Sequence, residues 1–135
     1  MKENIKRVLE ILGSEDNFYL ATAADGKANV RPFDVHCEFE DKIYIVTKKH
    51  KNVYSEIKAN PHVAIARSIG KDYYRVFAEL VEDDRMEARE KLVNDNVEAC
   101  KGKYAADDDD TAVFYLKDAV MNLMSHGKDP EVIKF

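Results

Sequence analysis

The chain predicts a mainly β fold with accessory α-helix: six or seven antiparallel strands curled into a barrel, with three short helices at its periphery. Three observations carry this. Segments of strand length recur at hairpin spacing, turn residues punctuate them, and one of them, "KIYIVT" (42–47), is apolar on both faces. Strands spaced in this way close most simply into a barrel. A length of 135 residues, with 45% hydrophobic and 35% charged residues, belongs to a folding chain and fits one domain over 1–135.

Ile5, Val8, Leu9 and Leu12 fall at helical spacing with Gly13 as a stop, so 2–13 is an amphipathic helix. "NFYLATA" follows as a strand, and Asp25-Gly26 is a strong hairpin signal because both central residues must accept positive φ. "ANVRPFDVHCEFE" (28–40) is expected as one half-buried strand, with Phe33, Val35, Cys37 and Phe39 on one face and Asp34, His36 and Glu38 on the other. Pro32 cannot donate to a sheet ladder and marks an edge or a bulge.

Glu40-Asp41 turns the chain into 42–47, a central strand covered on both sides. A helix from about Asn52 to Asn60 turns Val53 and Ile57 inward and is closed by Pro61. "HVAIARS" and "YYRVFAELVE" are strands joined by "IGKD". Asp84 and Glu87 form an expected capping box for a helix from about Arg85 to Asn94 carrying Met86, Ala88 and Leu92, and a second helical piece lies near Val97–Lys103. "ADDDDT" (106–111) is expected as a solvated loop, since adjacent carboxylates repel. "TAVFYLKDAVMNLMS" is divided into two short strands around Lys117-Asp118, and "PEVIKF" closes the chain.

Several classes of function are disfavoured. The N-terminal segment spreads charge through its apolar positions, unlike a signal peptide, and no run approaches membrane-spanning length. A net charge of −5 argues against nucleic-acid binding. Cys37 and Cys100 have no CxxC spacing and are expected as reduced thiols in a cytoplasmic protein. His36, His50, His62 and His126 lack metal-ligand spacing and are expected at the surface or the barrel rim, so no metal site is assigned. There is no nucleophile elbow, dinucleotide fingerprint or P-loop.

Against this acidic background, Thr47-Lys48-Lys49-His50-Lys51-Asn52 concentrates positive charge where a strand enters a helix. Cations, a hydroxyl and helix N-terminal N–H groups suit a phosphate; a solvated lysine-rich turn is the alternative. Arg31, beside Pro32 and Phe33 in a strand, either serves the same anion or pairs with Asp34 or Glu79 at the rim.

The run from "NFYLATAADGKANVRPF" through "KIYIVTKKHKNVYSEIKANPHVAIA", with "YYRVFAELVEDDR", "VFYLKDA" and "PEVIKF", resembles the pyridoxamine 5'-phosphate oxidase-like family of FMN-binding split barrels. The resemblance implies a split β-barrel whose cofactor is FMN, with the phosphate held by Thr47, Lys49, Lys51 and Asn52. It places Arg31 and the Pro32-Phe33 backbone along the phosphate, ribityl and ring region, and the Val46 backbone against the ring. It also implies a homodimer with FMN at the subunit interface, where Arg75 or the C-terminal strands reach the partner's cofactor.

Tyr74 stands where the family often has Trp, and Ala78 where it often has Gly. "VMNLMSHGKDP" departs from the aromatic ending of close relatives, and nothing after Phe114 matches the arginine and histidine motif of the true oxidase. The expectation is an FMN-dependent oxidoreductase passing electrons from NAD(P)H to a small acceptor, without pyridoxamine-phosphate oxidase activity; the alternative is a non-catalytic flavin- or haem-binding protein. No catalytic acid or base is assigned.

Overall fold

A computed structural model describes residues 1–13 and 17–135 of the chain. Its first element, α1 (Glu3–Leu12), buries Ile5, Val8, Ile11 and Leu12, with Leu9 half-buried beside them. Gly13 ends the helix as the sequence predicts: its N–H donates to the Leu9 carbonyl at 3.0 Å from a φ of 67°, a conformation that disfavours any residue with a Cβ.

The strands are β1 (Phe18–Ala24), β2 (Lys27–Phe33), β3 (His36–Phe39), β4 (Lys42–Lys48), β5 (His62–Ile69), β6 (Asp72–Asp83), β7 (Thr111–Met124) and β8 (Glu131–Lys134). The remaining helices are α2 (Asn52–Ala59), α3 (Met86–Asp95) and α4 (Val97–Cys100). Every pairing is antiparallel, in the order β2-β1-β5-β6-β7-β4-β3, with β8 against β7. This is the mainly β barrel expected, with eight strands instead of six or seven among the described residues. Asp25 and Gly26 (φ 54° and 72°), and Glu40 and Asp41 (φ 53° and 58°), make the two predicted tight turns.

Two expected segments come out differently. Residues 28–40 are two strands, because the chain leaves β1 at Phe33 and rejoins the sheet beside β4 at His36. The alternation survives this corner but serves two cores: Phe33 faces the barrel interior, whereas Val35 and Cys37 face a second cluster. Residues 111–124, expected as two strands, are one. Asp118, at φ 51°, lies in a bulge where the β6–β7 register shifts between Phe77 and Glu79, bending β7 without interrupting it.

β4 explains its own composition. Ile43 and Ile45 enter the barrel core with Leu20, Phe114 and Met121, while Tyr44 and Val46 pack outward with Ala88, Leu92, Cys100 and Val113 beneath α3 and α4. A strand between two cores needs apolar residues at every position. Cys37 and Cys100 are free thiols buried in that outer cluster, where burial pushes the Cys37 thiol up to about 12.

The expected capping box does not form. Arg85 occupies the N-cap of α3 without a side-chain cap, and Asp83 instead accepts from the Arg85 backbone N–H at 3.1 Å. Asp83 also accepts from the Arg85 guanidinium (2.8 Å) and the buried Tyr44 hydroxyl (2.7 Å). The Arg85 hydrogen bond, followed by that of Tyr44, holds the Asp83 carboxyl down at about 2.

Tyr44→Phe should therefore destabilise the fold by ~1–3 kcal/mol near neutral pH, the usual cost of removing a bond to a charged group. A folded-state pKa of about 2 lies below the unfolded value of roughly 3.9, so Asp83's contribution is full above that value and is lost as pH falls toward about 2. The difference in melting temperature between wild type and Tyr44→Phe should narrow over this window. A constant gap would disprove the linkage.

Candidate functional site

Among the described residues β2 pairs only with β1, and β3 only with β4, so the two ends of the sheet path never join. The barrel is split there, and α2 lies over the gap. Val53 and Ile57 fill the core beneath it. On one side Glu56 bonds to β1 and β2; on the other the Tyr54 hydroxyl (2.7 Å) and Lys58 (3.1 Å) donate to Glu82 of β6.

At the α2 N-terminus the split opens into a cleft. Six of the nine residues predicted for the site line it: Arg31, Pro32, Phe33, Val46, Thr47 and Lys51. Asp34, Val53 and Tyr104 complete the wall. Lys49 and Asn52 flank the cleft at the strand end and the first helical position without lining it. Arg75 is elsewhere, on the outer face of β6 with its guanidinium 6.0 Å from the Phe77 ring centroid.

The basic corner is partly neutralised by its own chain. The acidic segment 106–111, expected as a solvated loop, docks on it: Lys48 pairs with Asp108, and Asp110 accepts from both the His50 backbone N–H (3.0 Å) and the His50 ring. The Lys49 N–H donates to the Asp110 carbonyl at 2.7 Å. The Lys48 charge and the His50 and Lys49 hydrogen bonds offset the mutual repulsion of the carboxylates. The Lys48 hydrogen bond lowers the Asp108 pKa, and the His50 hydrogen bond lowers that of Asp110. Lys48 also sits 5.7 Å over the Tyr104 ring, so the docked loop places Tyr104 in the cleft wall.

Lys49 and Lys51 make no ion pair with any described residue, and Lys51 is the one in the cleft wall. Beside it, Thr47 is 2% exposed and its hydroxyl bonds to no described residue. Lys51 is also the N-cap of α2 and makes no side-chain cap; the Tyr54 N–H donates to the Lys51 carbonyl, which leaves the first-turn N–H groups of Asn52 and Val53 available. An uncompensated cation, an unused hydroxyl and free helix N–H groups fit a phosphate monoester at this end of the cleft. The apolar wall from Pro32, Phe33, Val46 and Val53 fits the rest of a flavin.

Arg31 does not pair with Asp34 or Glu79. It donates to Glu56 (3.0 Å) and to Thr22 (2.9 Å) beneath α2. Asp34 and Tyr104 in the cleft wall, and Glu56 as the partner of Arg31, were not legible in the sequence. Glu56 could have been inferred, since it lies four residues after Asn52 on the same helical face. The placement of Tyr104 depends on the acidic loop's docking, which has no local signal. His36 is half-buried instead of rim-exposed, its ring 6.4 Å from Phe18 and its pKa lowered by burial. No cluster of three or more metal-ligating side chains occurs among the described residues.

Fold and cleft together define a split antiparallel barrel with a cleft at its open seam. The chain belongs to the pyridoxamine 5'-phosphate oxidase-like family: the family model described as pyridoxamine 5'-phosphate oxidase matches residues 1–122. A NimC/NimA family protein from Clostridium acetobutylicum, solved at 1.80 Å, is 32% identical, with 98% of this chain and 93% of that one covered and a TM-score of 0.92. A heme binding protein from Mycobacterium smegmatis shares the fold at 16% identity and TM-score 0.71, covering 99% of this chain and 59% of that one. An F420 reductase shares it at 22% identity and TM-score 0.62, covering 81% and 90%. No curated protein sequence matches the chain.

Proposed function

We propose that the cleft binds FMN and that the protein is an FMN-dependent oxidoreductase of a small acceptor, distinct from a true pyridoxamine-phosphate oxidase. The observation that carries this reading is the conjunction of Lys51, the Thr47 hydroxyl and the uncapped α2 N-terminus at one end of a cleft whose wall also carries Pro32, Phe33, Val46 and Val53. Lys51 supplies charge to the phosphate, Thr47 a hydrogen bond, and the first-turn N–H groups of α2 fixed dipoles. Pro32, Phe33 and Val46 exclude water from the ring, while Lys49 and Asn52 raise the local potential from outside the wall. The flavin, when bound, supplies hydride or electron transfer; the protein supplies binding, orientation and a dry wall.

The family resemblance and the outer sheet face both support a homodimer. Tyr19 (50% exposed), Val30 (66%), Phe77 (46%) and Val132 (57%) lie on that face around the small residues Ala21, Ala64 and Ala66. Pro32 belongs to both this face and the cleft, so a second copy seated here would add a wall to the cofactor site, and Arg75 would enter it from across the interface. Among the described residues no helix is long and apolar enough to cross a membrane; a cytoplasmic location goes with the proposed use of NAD(P)H.

The absorption spectrum of the protein as isolated tests the reading, followed by FMN titration and bleaching under NADH or NADPH. A colourless protein that leaves FMN fluorescence unchanged overturns it. The cleft wall offers haem no histidine, methionine or cysteine, and burial raises the pKa of the Tyr104 phenol, the one ligand type left, so the Soret band of added haem is expected to stay at its unbound position.

A further inference from the structure

The acidic segment that docks on the basic corner starts at a side chain of the cleft. Tyr104 comes shortly after α4, its N–H donating to the Cys100 carbonyl at 2.9 Å, and its half-buried ring packs on the outer cluster while lining the cleft. Between Tyr104 and β7 the chain folds about Asp108, which accepts from the Asp110 N–H (3.0 Å) and the Thr111 hydroxyl (3.3 Å). That hydroxyl in turn accepts from the Ala105 N–H (3.4 Å), and Arg89 of α3 donates to the Ala106 carbonyl (2.7 Å).

Lys48 joins this turn to the cleft. It faces Thr111 in the β4–β7 register, which brings its ammonium to the Asp108 carboxylate and, 5.7 Å away, over the Tyr104 ring. One cation thus holds both the hub of the acidic turn and the aromatic ring at its start. The Lys48 side chain is only 17% exposed, so water screens the pair incompletely.

The hydroxyl of Tyr104 bonds to no described residue. Burial raises the pKa of the phenol, and the Asp34 charge raises it further, so near neutral pH it is a proton donor. Asp34 lies on the same cleft wall and makes no ion pair with any described residue. A phenol donor and a carboxylate acceptor on one wall suit the hydroxyl groups of a ligand, and the carboxylate turns a second anion away.

We infer that the acidic loop is an electrostatic latch that sets Tyr104 into the cleft as a ligand-binding donor: the Tyr104 hydroxyl bonds to the polyhydroxy chain of a phosphate ester, and Lys48 and Asp108 are its positioning residues. The identity of that chain as the ribityl of a flavin rests on the FMN reading; the latch itself does not. An uncharged ligand then senses the charges of the loop only through the place they give to Tyr104.

The test uses the full chain and three flavins: FMN, riboflavin, which lacks the phosphate, and lumiflavin, which lacks the ribityl chain. Tyr104→Phe should weaken FMN and riboflavin alike by about three- to tenfold, as for one lost hydrogen bond, and leave lumiflavin unchanged. Unchanged riboflavin affinity, or an equal loss for lumiflavin, would overturn the inference. Asp108→Asn, which removes the charge that holds Lys48, should weaken riboflavin by a few-fold in the wild-type background and have no further effect in Tyr104→Phe. Raising salt should weaken riboflavin binding to wild type and not to Asp108→Asn. Additive losses, or a salt response shared by both proteins, would reject the latch and leave the loop as a structural tie.

Should Asp108→Asn not fold, Lys48→Gln breaks the same pair from β4 and is judged by the same outcomes. Should wild type bind none of the flavins, the FMN reading fails by itself. Ribose 5-phosphate must then raise the melting temperature of wild type more than that of Tyr104→Phe, and an equal shift, or none, rejects the inference.

Discussion

Lys51→Ala should weaken FMN binding by about 5- to 150-fold, the loss corresponding to ~1–3 kcal/mol for a charge-assisted bond to phosphate. The size of the effect comes from the acidic loop. Lys48 and His50 are held by Asp108 and Asp110, so they cannot take over when Lys51 is removed. Lys49 is uncompensated but outside the wall, and Lys49→Ala should change affinity by a few-fold at most, through a screened long-range field. Quenching of FMN fluorescence gives both constants, with riboflavin as the reference that lacks the phosphate. Equal losses for the two ligands would place Lys51 against some other part of the flavin, and an unchanged FMN affinity would remove it from the site.

The acidic loop also shows where sequence reasoning reaches its limit. Local signals were readable wherever the backbone answered to neighbours in the chain: the Gly13 stop, the Asp25-Gly26 hairpin, the inward Val53 and Ile57 of α2. Six residues of the cleft wall were also readable, because two strand ends and one helix start carry them all and the family resemblance singled them out. What escaped were choices between distant partners. Four consecutive aspartates favour solvent unless partners about sixty residues away meet them, as the Lys48 ammonium and the His50 ring and backbone N–H do. Arg31 needed a partner on any reading, yet whether that was Glu79, Asp34 or Glu56 depended on where α2 settles over the split. The same holds for the 28–40 segment: its alternation is genuine, but only the sheet order reveals that Phe33 and Cys37 belong to different cores.

Phe77→Asp should convert the proposed dimer to a monomer of 15.5 kDa and sharply reduce FMN affinity, although Phe77 is not in the cleft. Phe77 is 46% exposed on the outer face, paired in register with Ala64 on one side and Val120 on the other. Ala64 in turn faces Ala21, which faces Val30, so one row across four strands presents a low apolar floor between two taller apolar side chains. A surface of this kind on a sheet is a liability for a monomer and an asset for a self-complementary interface. Placing a carboxylate at its centre, twice in a symmetric dimer, costs several kcal/mol because the charges lose water without gaining partners. The consequence reaches the cofactor through Pro32, which stands on this face beside Tyr19 and also lines the cleft. Losing the second copy would open that wall to solvent. Analytical ultracentrifugation and FMN titration of wild type and Phe77→Asp read the two effects separately. A variant with wild-type mass and affinity would refute the interface; a monomer that keeps full FMN affinity would show that each subunit completes its own site.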